Sequence, residues 1–239
     1  MGSGSTPRQF VAGTTVISVS AFARHSSVWL QVTPAMESVV RAANSRQEYL
    51  GAPVLSHSGS ERNALIAETA FLLAGAGFPD DLYQKYQLEA KARDFLLKLP
   101  HSSGAEDQLS QDEWLEVGML AQVTRRYAAR LQQPIFSPTI PGCGVVDTAT
   151  ADLLAGHELV EIKTVTRAFR SYDVRQALTY AAMLYSSGQT IELISLLNPR
   201  RARVVNLSVG EIAAVARGDS AVELMQDLMA RMLDLQVSA

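Results

Sequence analysis

The sequence predicts a mixed α/β protein, and three observations support this class. Apolar residues make up 47% of the 239 residues and charged residues 19%, which is the balance of a folded globular chain. In the second half of the chain, β-branched runs alternate with helical patterns. Ser-x-x-Glu patterns, which cap helices, mark where several of those helices begin. Together these features indicate helices packed against a sheet.

The first part of the chain, residues 8–105, is predicted to be mainly helical. Two β-branched runs near its start predict short strands at residues 14–19 and 28–32. Thr33-Pro34 predicts the start of a helix, because Thr caps helices and Pro suits their first turn. Two further helices are bounded by Gly or Pro, at about 61–73 and about 80–99, the latter ended by Pro100. No chemical motif stands out in this part.

The second part, residues 106–239, is predicted to contain the sheet. Ser110 and Glu113 form a capping box that begins a helix running to about residue 132. Three strands, one helix and two strands follow, at residues 135–137, 144–149, 158–165, 171–185, 190–197 and 202–207. Two more helices begin at Ser208 and Ser220. The methionine-rich stripe of the last helix either packs on the protein's own core or forms a subunit interface.

Charge and cysteine content limit the possible classes of function. The net charge is −3, so any contact with nucleic acid depends on a local basic patch. A single cysteine, Cys143, excludes an internal disulfide and a cysteine-rich metal site, and it is typical of a reducing cytoplasm. No apolar run reaches the ~18 residues of a membrane span. We therefore expect a cytoplasmic protein that does not enter the membrane.

Two carboxylates and a lysine carry the candidate chemistry. Glu161 and Lys163 are two residues apart in a predicted strand and therefore share one face. Asp147, in the preceding predicted strand, is expected to lie beside Glu161. Adjacent carboxylates repel each other and favour a divalent cation between them, and the Ile162 carbonyl adds an oxygen ligand. An all-oxygen set predicts Mg²⁺ or Mn²⁺, beside which Lys163 can orient or help deprotonate a water.

The helix after this strand adds two polar side chains. Gln176 and Tyr180 are four residues apart and share one helix face. From there they can reach the site or a nearby phosphate. For Tyr180 the alternative is a packing role as a half-buried aromatic.

The combined pattern of Asp, Glu-x-Lys and Gln-x-x-x-Tyr resembles the PD-(D/E)XK nuclease superfamily, particularly its RecB-type branch. The resemblance covers roughly residues 110–207. It implies a restriction-endonuclease-like core, in which a central mixed sheet is flanked by helices. The order of elements along the chain in that core is a helix, a three-stranded meander, a helix and a strand. One departure is that Val146, rather than Pro, precedes the aspartate.

The resemblance also implies roles for individual residues. Asp147 and Glu161 would be metal ligands, and Lys163 would be the catalytic lysine. The family often adds a glutamate from the helix before the meander, for which we expect Glu116. Glu113 is the alternate, since it already has a capping role.

Basic residues are concentrated around the predicted site. Between residues 163 and 203 there are seven basic residues and only two acidic ones. Arg167, Arg170 and Arg175 are the expected contacts to a nucleic-acid backbone. The alternative is ordinary solvated surface charge.

These observations predict a metal-dependent nuclease that hydrolyses phosphodiester bonds in DNA, as an endonuclease of a bacterial defence, restriction or repair system. RNA is the alternative substrate. The alternative function is a catalytically silent nuclease-fold subunit that binds nucleic acid or acts as a scaffold in a multi-protein complex. Contacts with a second copy or a partner protein would use the C-terminal helix or the N-terminal region. A metal-independent small-molecule enzyme has no motif in its favour.

Overall fold

A mixed α/β architecture is present in the computed structural model, which describes residues 16–99 and 104–235. The strands are β1 (Glu48–Tyr49), β2 (Ile135–Phe136), β3 (Thr139–Ile140), β4 (Ala149–Thr150), β5 (Leu153–Ala155), β6 (Glu158–Ile162), β7 (Leu193–Asn198) and β8 (Arg203–Ser208). The helices are α1 (Val19–Arg24), α2 (Ser26–Val32), α3 (Met36–Ser45), α4 (Asn63–Gly75), α5 (Leu82–Leu97), α6 (Gln111–Ala128), α7 (Ser171–Ser186), α8 (Val209–Arg217) and α9 (Ala221–Asp234). The predicted class is therefore confirmed at this level.

A six-stranded mixed sheet forms the centre of the fold, with the strand order β1-β8-β7-β6-β5-β2. Neighbouring strands are antiparallel except β6 and β7, which are parallel. A parallel pair needs a crossover connection, and α7 supplies it. Strands β3 and β4 form a separate two-stranded sheet.

Each face of the sheet is covered by its own apolar core, because side chains alternate along a strand. Leu159 of β6 belongs to the core that contains α3, α7, α8 and α9. Its neighbour Val160 belongs to the core that contains α4 and α6. Both β6 side chains are fully buried. The strand that carries the Glu-x-Lys motif is thus held rigidly between two layers of helices.

The predicted join between the two parts, near residue 105, does not coincide with a break in packing. Strand β1 from the first part pairs with β8 from the second, with Glu48 opposite Val204. Helix α4 packs on α6, and Leu65 and Leu120 share one apolar core. Residues 8–15 of the first part lie outside the described residues.

Several predicted helices are confirmed, with ends that differ by a few residues. Helix α6 begins at Gln111, directly after the predicted capping box, whose two hydrogen bonds are both present. The Ser220 capping box is likewise present before α9, and the Ser208 side chain caps α8. The expected end of the preceding helical pattern at Pro100 lies outside the described residues.

The strand predicted at residues 28–32 is wrong, since these residues form part of α2. Val28, Trp29 and Val32 are buried along one side of that helix. Their spacing fits a short amphipathic helix as well as a buried strand, and burial against the core selects the helix. Of the run at 14–19, residues 14 and 15 lie outside the described residues, Ile17 forms an isolated bridge to Val146, and Ser18 caps α1.

The strand predicted at residues 144–149 is also largely wrong. Gly144 has a positive φ of 56° and lies in a turn, and only Ala149 belongs to a strand. The strand that pairs with β6 is β5, which begins at Leu153, four residues after the end of the predicted strand at residue 149. The aspartate that precedes β5 is therefore Asp152, not Asp147.

Across the described residues, the helices are too short or too polar for any one of them to cross a lipid bilayer.

Candidate active site

The hairpin of β5 and β6 places Asp152 opposite Glu161. Leu153 pairs with Val160 and Ala155 pairs with Glu158, around a turn in which Gly156 has a positive φ of 57°. One step outward from these pairs, Asp152 faces Glu161. The Ile162 N–H donates to Asp152 Oδ2 at 2.6 Å. The aspartate carboxylate therefore replaces a backbone carbonyl at the point where the β5 ladder ends.

Lys163 completes the cluster immediately after β6. Its Nζ lies 2.7 Å from Glu161 Oε1, and the carboxylate side chain is only 3% exposed. The same Nζ donates to Gln176 Oε1 of α7 at 2.9 Å. Two polar partners from two elements thus hold the ammonium group in one position, with 18% of its side chain exposed.

The carboxylates of Asp152 and Glu161 lie beside a single ammonium group, that of Lys163. Burial raises the pKa of Asp152, although the hydrogen bond from Ile162 opposes this. Burial and the nearby Asp152 raise the pKa of Glu161, against the attraction of Lys163. Burial is the largest single influence on the Lys163 ammonium and lowers its pKa, but Glu161, Asp152 and Asp173 act in the opposite direction, and the net effect is a raised pKa. The Lys163 ammonium group therefore attracts both carboxylates and favours their charged forms.

A cleft of about 720 Å³ opens in front of this cluster, with Asp152 and Lys163 in its wall. Helix α4 forms the facing side and contributes Glu68. Burial raises the pKa of Glu68, and its charge in turn helps to raise the pKa of Asp152. Glu68 is thus a third carboxylate close to the site.

Sequence reasoning missed both Asp152 and Glu68. The signal for Asp152 is the hairpin turn: residues equally far from Gly156-His157 face each other, which selects 152 as the partner of 161. The signal for Glu68 is weaker. It is the single charged residue in a mostly apolar helix of 13 residues, a position where a carboxylate is costly unless it has a role.

Asp147 lies elsewhere. It is exposed in the turn before β4, where its N–H donates to the Ile17 carbonyl at 3.0 Å. Its Oδ1 accepts from the Thr148 N–H at 2.7 Å. Among the described residues that line the cleft, Asp147 does not appear. The structure therefore brings Asp152, and not Asp147, to Glu161.

Glu116 and Glu113 of α6 are both committed to contacts away from the cleft. Glu116 is fully buried, forms an ion pair with Arg200 and accepts from the His57 N–H at 2.9 Å. Glu113 caps α6 and lies 2.7 Å from Arg62. Neither is among the described residues of the cleft wall. These contacts join α6 to the preceding and following loops, which is a structural role.

Tyr180, one turn after Gln176 on α7, lies close to the cluster. Its hydroxyl donates to the Thr150 carbonyl at 2.9 Å. Burial, followed by the charges of Glu161 and Asp152, raises its pKa. Tyr180 thus anchors the segment that leads into Asp152. It is largely buried, as the packing alternative predicts, and it also lies close to the candidate site.

The three arginines expected to contact nucleic acid have different environments. Arg167 makes two hydrogen bonds to Asp173, at 2.6 and 2.9 Å. Arg175 lies over the Trp29 ring at 5.8 Å, and burial lowers its pKa. Arg170 is exposed at the start of α7. Of the three, Arg170 is the one that is exposed to solvent.

The donor set around Asp152 suits a hard divalent cation. It consists of the carboxylates of Asp152 and Glu161 and the Ile162 carbonyl, which points to the same side of β6 as the Ile162 N–H. Within residues 16–99 and 104–235, no group of three or more His, Cys, Asp or Glu side chains is arranged to hold a metal ion. Mg²⁺ commonly needs only one or two protein carboxylates, with water and substrate phosphate as further ligands. The carboxylates of Asp152 and Glu161 fit that requirement.

Comparisons of this chain with protein-family models, with curated proteins and with solved structures found no match.

Proposed function

We propose that this protein is a metal-dependent nuclease that hydrolyses phosphodiester bonds in DNA. The observation that supports this best is the cluster of Asp152, Glu161 and Lys163 beside an open cleft. A buried glutamate with a second carboxylate and a lysine beside it, at the adjacent ends of two strands, is costly to place in a protein core. Such a cluster is typical of a site that uses a divalent cation on a phosphate.

The order of elements supports the same proposal. Strands β2, β5 and β6 form an antiparallel meander, α7 follows, and β7 returns parallel to β6. Helix α6 precedes the meander. This is the order that the resemblance to the PD-(D/E)XK superfamily implies, so we extend the proposal to a restriction-endonuclease-like core.

Asp152, Glu161 and the Ile162 carbonyl would hold Mg²⁺ or Mn²⁺, with Glu68 contributing negative charge from α4. When bound, such an ion lowers the pKa of a water ligand and stabilises charge on the phosphate.

The protein's own groups position the reacting atoms. Lys163 Nζ, held by Glu161 and Gln176, points a hydrogen-bond donor at the attacking water or at a phosphate oxygen. The water oxygen forms the new bond to phosphorus, and the bond to the leaving oxygen breaks. The proton lost by the water passes to solvent, and the leaving oxygen takes a proton from solvent.

The test compares two aspartates five residues apart. Purified full-length protein is incubated with supercoiled plasmid and with linear single-stranded DNA, in Mg²⁺, Mn²⁺ or EDTA. Asp152→Asn and Lys163→Ala should abolish cutting, whereas the matched control Asp147→Asn should cut like the wild type. Cutting in EDTA, or loss of cutting in Asp147→Asn but not in Asp152→Asn, would contradict the proposal.

If the wild type does not cut, Mn²⁺ binding is titrated by calorimetry. Binding that disappears in Asp152→Asn would support a nuclease whose activity awaits a partner. No binding by the wild type would overturn the catalytic proposal and favour the silent, nucleic-acid-binding or scaffold subunit.

A further inference from the structure

The cleft in front of the site has an aromatic end. One face of α4 lines it at helical spacing, and Phe71 closes that face. Phe95 of α5 lies in the same wall and is 50% exposed. Phe71 rests on Phe136, with ring centroids 5.8 Å apart, so its position is fixed. An exposed phenylalanine at the edge of a catalytic cleft offers a flat surface for a ligand ring.

Cationic side chains are scarce in this cleft. Lys163 is the single cation among the described residues that line it. Two arginines close to α4 are neutralised by carboxylates, since Arg62 pairs with Glu113 and Arg200 pairs with Glu116. Besides Lys163, the charged groups of the wall are the carboxylates of Asp152 and Glu68, and the other polar groups are neutral, namely Ser60, Asn63, Ser137, Thr150 and Thr164. A duplex needs several cations for its two rows of phosphates, and this wall does not supply them.

The reactive groups are also recessed. Glu161 is 2% exposed and lies behind Lys163, whose side chain is 18% exposed. A cleft of about 720 Å³ is in the size range of small-molecule pockets. A single nucleotide with its flanking phosphates fits that scale.

Resting on the proposed function, we propose that the substrate enters this cleft as single-stranded nucleic acid and that one base stacks on Phe95. The stacked base lies toward the aromatic end, and the adjoining phosphate reaches Lys163. The neutral hydroxyl and amide groups hydrogen-bond to the base or sugar. Because every base has a flat face, stacking of this kind tolerates many sequences.

The test measures binding rather than cutting, so that it is independent of catalysis. Fluorescence anisotropy in EDTA compares a labelled single strand of mixed sequence with the duplex of the same sequence. An RNA strand of that sequence separates the two nucleic acids. The wild type should bind the single strand more tightly than the duplex.

Variants of α5 locate the contact. Phe95→Ala should weaken single-strand binding by about tenfold, the effect of losing one base–aromatic stack. Phe95→Trp should retain binding, with indole fluorescence quenched by the strand. Leu97→Ala is the matched control, because Leu97 is 52% exposed on the same helix and is not among the described cleft residues. It should bind like the wild type.

Three results would overturn the inference. They are duplex binding as tight as single-strand binding, equal effects of Phe95→Ala and Leu97→Ala, or no binding to any of the strands. Failure of the proposed function has a different signature: single strands bind through Phe95, but nothing is cut in Mg²⁺ or Mn²⁺ and no metal binds. Conversely, cutting that depends on Asp152 but not on Phe95 would leave the nuclease and remove only the stacking site.

Discussion

Replacing Glu116 should destabilise the protein without removing its active site. The Glu116 carboxylate is fully buried in α6, pairs with the guanidinium of Arg200 and accepts the His57 N–H at 2.9 Å. Arg200 is itself only 4% exposed and also donates to Asn63 at 3.2 Å. In Glu116→Gln the guanidinium stays buried and loses its counter-charge. If Glu116 were a metal ligand, as the resemblance to the nuclease superfamily implies, its replacement would instead remove cutting and leave stability unchanged.

The expected cost follows from the burial of the pair. Removing one partner of a buried ion pair typically costs about 3–5 kcal/mol, because the other charge is left uncompensated. Gln keeps one acceptor for the His57 N–H, so we expect the lower end, about 3 kcal/mol. With a typical urea slope of about 2 kcal/mol per molar, the unfolding midpoint falls by roughly 1.5 M. Urea unfolding followed by circular dichroism at pH 7 measures this.

Glu68→Gln provides the comparison. Burial already raises the pKa of Glu68, and the amide has the same shape, so the free energy of unfolding should change by less than about 1 kcal/mol. Its cutting should fall sharply. Should Glu116→Gln instead keep its unfolding midpoint and lose cutting, a structural role for Glu116 would be refuted. If Glu116→Gln does not fold, the double variant Glu116→Leu/Arg200→Met, which removes both charges, should recover stability.

Two further predictions concern backbone strain and pH. Gly144→Ala should lower the free energy of unfolding by more than Gly156→Ala in the same urea assay. Both glycines have positive φ, but a Cβ at position 144 collides with a backbone carbonyl of α9, whereas a Cβ at position 156 meets no neighbouring atom. Equal losses of unfolding free energy in the two variants would contradict this. The ion pair with Arg62 lowers the pKa of Glu113 from 4.5 to about 2. A lowered carboxyl pKa stabilises the fold at pH values above 4.5, the ordinary pKa of the group. Glu113→Gln should therefore lower the free energy of unfolding by about 3 kcal/mol at pH 7, and by progressively less as the pH falls toward 2. A loss of stability that is independent of pH would refute this role of the Glu113 carboxylate.

Local sequence signals predicted the helices of the second half well. The capping boxes at Ser110 and Ser220 act within four residues and need no distant partner. Strands β6 and β7 are also predicted from the sequence, since both contain Leu, Ile or Val runs bounded by turns. These elements follow from interactions that the chain makes with its immediate neighbours.

Short apolar runs were harder, because their patterns fit two structures. Trp29 and its neighbours satisfy a buried strand and a short helix equally, and only packing against the core selects α2. In the same way, the run around Val146 resembles a strand. It forms a turn, closed by bridges to Ile17 and Cys143.

Glu161, Lys163 and Gln176 are candidate site residues that the sequence alone predicts, because strand alternation and helix spacing favour common faces. The structure joins these three through Lys163 Nζ. The aspartate could not be chosen in this way: two candidates precede Glu161, and the register of one hairpin selects Asp152 over Asp147. Glu68 comes from a helix 93 residues before Glu161, and only the packing of α4 beside the sheet brings it to the cleft. Local chemistry therefore determined which residue types form the site, while register and long-range packing decided which carboxylates face one another.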